Sequence, residues 1–307
     1  MISALRGTGL VKPVMTVQLL SILLNVALAP VLIAGWGTGM PLGVAGAGLA
    51  STLGGVFSVT TLSCYLLRPG KYVSFRSGQW KPNFAYWQRI LSIGLPSGVE
   101  IFVLFITMGL MYWLIRDFGS DAQAGYGIGA RVMQSIFLPA MAVGVAISPI
   151  VGQNFGARRA DRVRQTFRLA ASTEVALMAL IAPMCHIAPE AMIGFFSADP
   201  QVIEIGAEYL RIVSWGFVFS GFAFSCSGMF QGLGNTWPGL LVSVVNLMAF
   251  AAPAVWMSHQ REFQLRQLWL LLLATMALRA VISFWLVRAQ MNKRLAAFSV
   301  TPQAAAA

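Results

Sequence analysis

Residues 90–115 read ILSIGLPSGVEIFVLFITMGLMYWLI, an apolar run with a single charged side chain, Glu100, near its middle. A bilayer has a hydrocarbon core about 30 Å thick, which a helix crosses with ~20 predominantly apolar residues. Seven further stretches meet that requirement, approximately 14–35, 44–67, 126–151, 167–188, 203–229, 239–258 and 266–287, each set off by Gly, Pro or charge. The one from Val44 is the weakest, being rich in Gly, Ser and Thr. Composition agrees: of 307 residues 57% are apolar and 10% charged, with a mean hydropathy of +0.73, whereas soluble chains carry ~25% charged residues. A soluble enzyme, a disordered chain and a disulfide-stapled secreted domain are excluded. The expected fold class is all-α, a polytopic membrane protein with eight transmembrane helices.

The net charge of +11 is a topology signal. With eight spans, both termini share a side with the second, fourth and sixth loops. That side holds fifteen Lys and Arg, from Arg6 and Lys12 to Arg288, Lys293 and Arg294, and includes the cluster Arg158, Arg159, Arg162, Arg164 and Arg168. The other side holds three, Arg116, Arg261 and Arg266, while Arg131, Arg211 and Arg279 lie within spans. The positive-inside rule then puts both termini in the cytoplasm and removes the case for a nucleic-acid partner. The three cysteines, Cys64, Cys185 and Cys226, sit in apolar runs without C-x-x-C spacing and read as small buried hydrophobes.

Two segments repeat at long range. Arg6-Gly7-Thr8-Gly9-Leu10-Val11-Lys12-Pro13 leads into a span with Asn25 and Pro30, and Gln231-Gly232-Leu233-Gly234-Asn235-Thr236-Trp237-Pro238 leads into a span with Asn246 and Pro253. Both read G-x-G-x-x-x-P at a turn between helices, offset by 225 positions. Six spans separate them, which points to six-helix lobes, a known transporter plan. By that symmetry four spans are expected before Arg6, so the sequence reads as the last eight helices of twelve. The expected organisation is 1–67 for the last two helices of an N-terminal lobe, 68–89 for a cytoplasmic linker, 90–290 for a complete six-helix C-terminal lobe and 291–307 for a tail.

Glu100 is the leading site residue. Eleven residues beyond Arg89, at 1.5 Å each, place it ~16 Å inside the membrane, near the midplane. A carboxyl there is costly and serves transport by default, since it binds a proton or Na⁺ and changes charge with it. Pro96, one turn earlier, removes a helix hydrogen bond to Ser92. Gln134 shares a face with Arg131 and is a candidate pathway residue, as are Asn25 and Asn246; interhelical bonding is the commoner use of such asparagines, and snorkelling or pairing that of Arg131. Glu204, Glu208 and Arg211, one turn apart, are expected to pair with one another. Glu174 and Arg279 are embedded, and either could be an ion-pair partner. His186 and His259 are too far apart to suggest a metal site, and no Walker loop indicates ATP hydrolysis. Asp117-Phe118-Gly119 spells a kinase tripeptide without any kinase context and reads as a helix-end loop.

These motifs resemble the multidrug and toxic compound extrusion (MATE) family over nearly the whole chain. The resemblance rests on the R-G-x-G-x-x-x-P turn at Arg6, G-L-P-x-x-x-E from Gly94 to Glu100, V-G-Q-N-F-G-A-R-R from Val151 to Arg159, and F-Q-G-L-G-N-T-x-P from Phe230. It implies twelve helices in two lobes and an antiporter, not an enzyme, that exports organic, often cationic, compounds against inward Na⁺ or H⁺ without another cofactor. The expected location is the plasma (bacterial inner) membrane, and the partners are small organic cations, the bilayer and the four missing N-terminal helices, without which the chain is expected to be inactive. Two departures stand out: those first four helices are absent, and the aspartate that some members carry in the tenth helix has no counterpart in 209–229. The alternatives are a lipid-linked oligosaccharide flippase of related architecture, which calls for a strongly cationic cavity; a membrane transferase, which calls for clustered Asp or His; and a nonfunctional fragment.

Overall fold

The computed structural model describes residues 2–37, 39–67, 83–296 and 298, and all regular structure among them is helical. The chain divides into two compact units, Met1–Phe84 and Ala85–Ala307. In the first, a short α1 (Ile2–Gly7) leads into α2 (Val11–Ala34), which pairs antiparallel with α3 (Gly43–Leu67). Ser21 Oγ donates to the Gly54 carbonyl at 2.6 Å, and the Asn25 amide donates to Ser51 Oγ at 3.3 Å. The backbones meet at Gly46, where a side chain would begin 2.2 Å from the Leu32 carbonyl oxygen. Leu5, Val14, Val17, Leu62 and Leu66 fill the space beneath α1.

The second unit holds α4 (Phe84–Ile115), α5 (Ser120–Gly156), α6 (Ala160–Ile181), the short α7 (Met184–Ile187) and α8 (Pro189–Gly194), α9 (Pro200–Val213), α10 (Gly216–Gly232), α11 (Trp237–Ser258) and α12 (Leu265–Ala296). The long α5 packs on α6, α9 and α10, while α12 packs on α9, α10 and α11. One core cluster gathers around Trp269, which stacks on Tyr126 and meets Tyr209 edge-on. A second lies at the other end of α10, around Ile147, Val151, Cys226, Met229, Phe230 and Val287. Asp117-Phe118-Gly119 does form a helix-end loop: a 3₁₀ turn, Arg116–Phe118, followed by Gly119 at φ 93°.

Large apolar side chains stand exposed along these helices, among them Leu23, Val26, Phe102, Phe105, Leu180 and Trp285. In water so much contiguous apolar surface is a liability; in a bilayer it is the face turned to solvent. Among the described residues seven helices are long and apolar enough to cross a membrane, or eight when the bent pair α9–α10 counts as one span. All eight predicted spans are therefore present. The sixth, expected as one helix over 203–229, is instead broken at Ser214–Trp215 with a bend of 57°. Hydropathy is continuous across the break, so composition gives no sign of it. The corner is held from outside by the Ser214 hydroxyl, 3.0 Å from His186 Nε2, and by the Trp215 ring against the His186 imidazole.

The repeat is written in the backbone. After α1, Gly9 N–H donates to Arg6 O at 3.1 Å and Leu10 N–H to Leu5 O at 3.0 Å; after α10, Gly234 N–H donates to Gln231 O and Asn235 N–H to Phe230 O, both at 3.0 Å. Both glycines are left-handed, at φ 81° and 70°. This paired pattern is the Schellman helix stop, which places Gly at the first residue beyond the helix. Pro13 and Pro238 then fall in the first turns of α2 and α11, where no helix bond is lost. Two sequence readings are corrected. Cys64 is exposed, whereas Cys185 and Cys226 are buried as expected. Arg211 pairs with Glu190 of α8 rather than with Glu204 or Glu208, because the chain that folds back between α6 and α9 brings an acid from outside the helix. The proposed linker 68–89 falls largely outside the described residues, as does most of the tail.

Candidate functional site

The site forms around Glu100, in the middle of α4. That helix runs unbroken through Pro96, and its docking near the proline is local: Thr236, at the start of α11, donates its hydroxyl to the Ile93 carbonyl at 2.8 Å. About one turn past Pro96, Glu100 projects into a crevice lined by three other helices. Arg279 of α12 brings Nη2 to 3.2 Å from Glu100 Oε1. Ser243 of α11 donates to Oε1 at 3.3 Å, and Ser227 of α10 approaches both oxygens at 3.5 and 3.4 Å. Gly239 leaves room for the carboxylate, since a side chain there would begin 3.2 Å from Oε2. The Glu100 and Arg279 side chains are 16% and 31% exposed, so the pair is partly shielded without being sealed. The hydroxyl contacts are longer than the usual ~2.7–2.8 Å, so the carboxylate is surrounded but loosely held.

Sequence reasoning placed Glu100 but missed Ser227 and Ser243. Arg279 carried a signal: apart from Arg266 at the very edge it is the one charged side chain within the predicted span 266–287, so it needs an embedded acid as partner. Glu100 fills that role. Ser227 lies in the stretch 209–229, which holds no acid, so neutral hydroxyls and the Arg279 cation line this carboxylate.

The other candidates are dispersed. Asn246, one turn beyond Ser243 on α11, has a buried Oδ1 with no hydrogen-bond partner among the described residues. Gln134 is exposed on α5. Arg131, on the same face, lines a cavity of about 320 Å³ with Tyr112, Gln123 and Phe196. Asn25 belongs to the first unit and is engaged with Ser51. A second cavity, of about 400 Å³, brings Gly152 and Phe155 of the V-G-Q-N-F-G-A-R-R segment together with Gly232 and Gly234 of the second repeat turn, beside Arg89 and Arg294. Two motifs far apart in sequence thus share one pocket.

Comparison with known proteins places this arrangement. A Thermotoga maritima protein named as the probable multidrug resistance protein NorM is 28% identical over 281 residues, covering 91% of this chain and 60% of that relative. The probable multidrug resistance protein YoeA of Bacillus subtilis is 23% identical over 270 residues, covering 86% of this chain and 58% of its own length. The chain thus spans about 60% of the length of the curated relatives it matches. Among solved structures, MATE in the straight conformation superposes with a TM-score of 0.85 at 21% identity, over 97% of this chain and 65% of that one. An outward-facing multidrug resistance MATE transporter superposes at 0.83 with 20% identity, over 94% and 63%. The fold is therefore the two-lobe MATE fold, of which this chain supplies a part. The MatE family model matches residues 96–257, from the proline beside Glu100 through the bent span to the end of α11, and the chain belongs to that family.

Proposed function

We propose that this chain is the greater part of a non-catalytic secondary transporter, an antiporter that exports organic, cationic compounds in exchange for Na⁺ or H⁺, with Glu100 as the ion-coupling residue. The observation that carries the reading is the loosely held carboxylate of Glu100, embedded at mid-helix among Ser227, Ser243 and Arg279. A carboxylate so placed exchanges partners, Arg279 in one state and an incoming ion in another. Gln134, Asn246 and Asn25 are the proposed pathway residues; the buried Oδ1 of Asn246, without a hydrogen-bond partner among the described residues, would accept from a substrate ammonium once the helices part. The flippase reading loses its cations: of three embedded arginines, Arg279 and Arg211 are spent on Glu100 and Glu190.

Transport is proposed to need the remaining third of the fold that the relatives carry. The test uses liposomes with imposed Na⁺ or proton gradients and a fluorescent organic cation, with the chain alone and together with the first four helices of the Thermotoga maritima relative. The expected result is no dye movement with the chain alone and gradient-dependent movement in the combined arm. Gradient-driven movement by the chain alone would overturn the need for further helices. Movement indifferent to both gradients in the combined arm would overturn antiport.

The proposed orientation has both termini in the cytoplasm, supported by the fifteen-to-three asymmetry of Lys and Arg. In a background lacking the three native cysteines, single cysteines at Ser120, Ser197 and Gln260 should label from outside, and those at Ser77 and Ala160 should not. The reverse pattern would invert the topology and the depth assigned to Glu100.

A further inference from the structure

Glu174, on α6, has no surface exposure at all. Its Oε2 accepts the Ser225 hydroxyl of α10 at 2.5 Å, while its Oε1 is buried with no hydrogen-bond partner among the described residues. The free oxygen faces α5 at Gly144, where a side chain would begin 3.1 Å from it. No Lys, Arg or His nitrogen among the described residues comes within 4.0 Å of this carboxyl, which separates it from Glu100. The facing stretches of α5, 137–151, and of α10, 216–232, hold one titratable side chain between them, Cys226, which is buried. Arg279 itself is engaged by Glu100. On α6 the nearest charged side chain is Arg168, exposed more than a turn away.

An ionised carboxylate sealed in this way, with one side-chain hydrogen bond and no cation paired with it among the described residues, is strongly disfavoured. We propose that Glu174 is a proton-binding site inside the helix bundle, distinct from Glu100, which holds a proton on Oε1 at neutral pH and releases it when water enters the seam of α5, α6 and α10. In the release step the Oε1–H bond breaks, its electron pair stays on the carboxylate and the proton leaves on water. The Ser225 hydroxyl goes on donating to Oε2. The site also communicates with the first carboxylate. Ser225 and Ser227 are two residues apart and project from nearly opposite faces of α10, one to Glu174 and the other to Glu100. A rotation of α10 that loosens one contact changes the other. The proposal rests on the geometry of the seam and stands whether or not Glu100 couples export.

The test is infrared spectroscopy of the purified chain in detergent at neutral pH, reading the carbonyl stretch of a protonated carboxylic acid. The unsubstituted chain should show that band, Glu174→Gln should lose it and Glu100→Gln should keep it. Ser225→Ala should move the band to higher frequency without removing it, because a hydrogen bond to the carboxyl is gone; this variant carries the test if Glu174→Gln fails to fold. An unsubstituted chain with no such band, a band unchanged in Glu174→Gln, or one unmoved in Ser225→Ala would overturn the proposal.

Discussion

Glu100→Gln should reduce gradient-driven export at least tenfold in the completed transporter, and Glu100→Gln with Arg279→Gln should restore stability without restoring export. The argument turns on Arg279. Replacing the carboxylate alone keeps its shape and its serine contacts but leaves the guanidinium unpaired at 31% exposure. Removing one partner of a fully buried pair costs ~3–5 kcal/mol, and exposed pairs contribute at most ~1 kcal/mol, so this half-shielded pair falls between, at about 1–3 kcal/mol. The single variant should therefore melt several degrees lower, and the double variant should recover most of that loss because no charge is left uncompensated. Export should stay lost in both, since neither holds a group that changes charge with the ion. Measuring thermal stability and dye export side by side separates the two roles. Export that returns with stability in the double variant would make Glu100 a structural partner of Arg279 and nothing more.

The eight spans were legible because each is a long apolar run, and a helix in lipid must satisfy its own backbone. Glu100 was legible for the same reason in reverse, as a charge where lipid tolerates none. Its surroundings were not. Ser227, Ser243 and Arg279 lie 127, 143 and 179 residues away, and one sequence says nothing about which helix packs on which. Local spacing misled outright at Arg211: Glu204 and Glu208 sit at helical distances, yet Glu190 is the partner. The repeat was legible as a turn, down to the left-handed Gly9 and Gly234, but its likeness fades farther along the helices. Asn25 is bonded to Ser51, whereas the Oδ1 of Asn246 has no partner among the described residues. Both turns obey the same local rule for stopping a helix, and each asparagine answers to whatever helix lies opposite.

The second large effect belongs to the α5–α10 contact, because both carboxylate contacts hang from α10. Gly228 lets that helix lie directly on α5: a side chain there would begin 2.8 Å from the Gly144 carbonyl oxygen and 3.1 Å from Ile147 Cβ. The first of these is backbone and has no rotamer to yield, so the helices must move apart. Gly228→Ala should cost about 1–3 kcal/mol as overpacking, and Gly228→Val more. The function should suffer more than the stability. Displacing α10 pulls Ser225 from Glu174 and Ser227 from Glu100 together, although neither serine nor either acid is altered. Gly109→Ala is the control, because nothing lies within 4 Å of a side chain there. With Gly at mid-helix costing ~1 kcal/mol relative to Ala, that variant should be neutral or slightly more stable. Thermal melting in detergent and dye export in liposomes would compare the three. Gly228→Val that melts and exports like Gly109→Ala would show that α10 does not depend on this close approach, and that its two serines are positioned by other contacts.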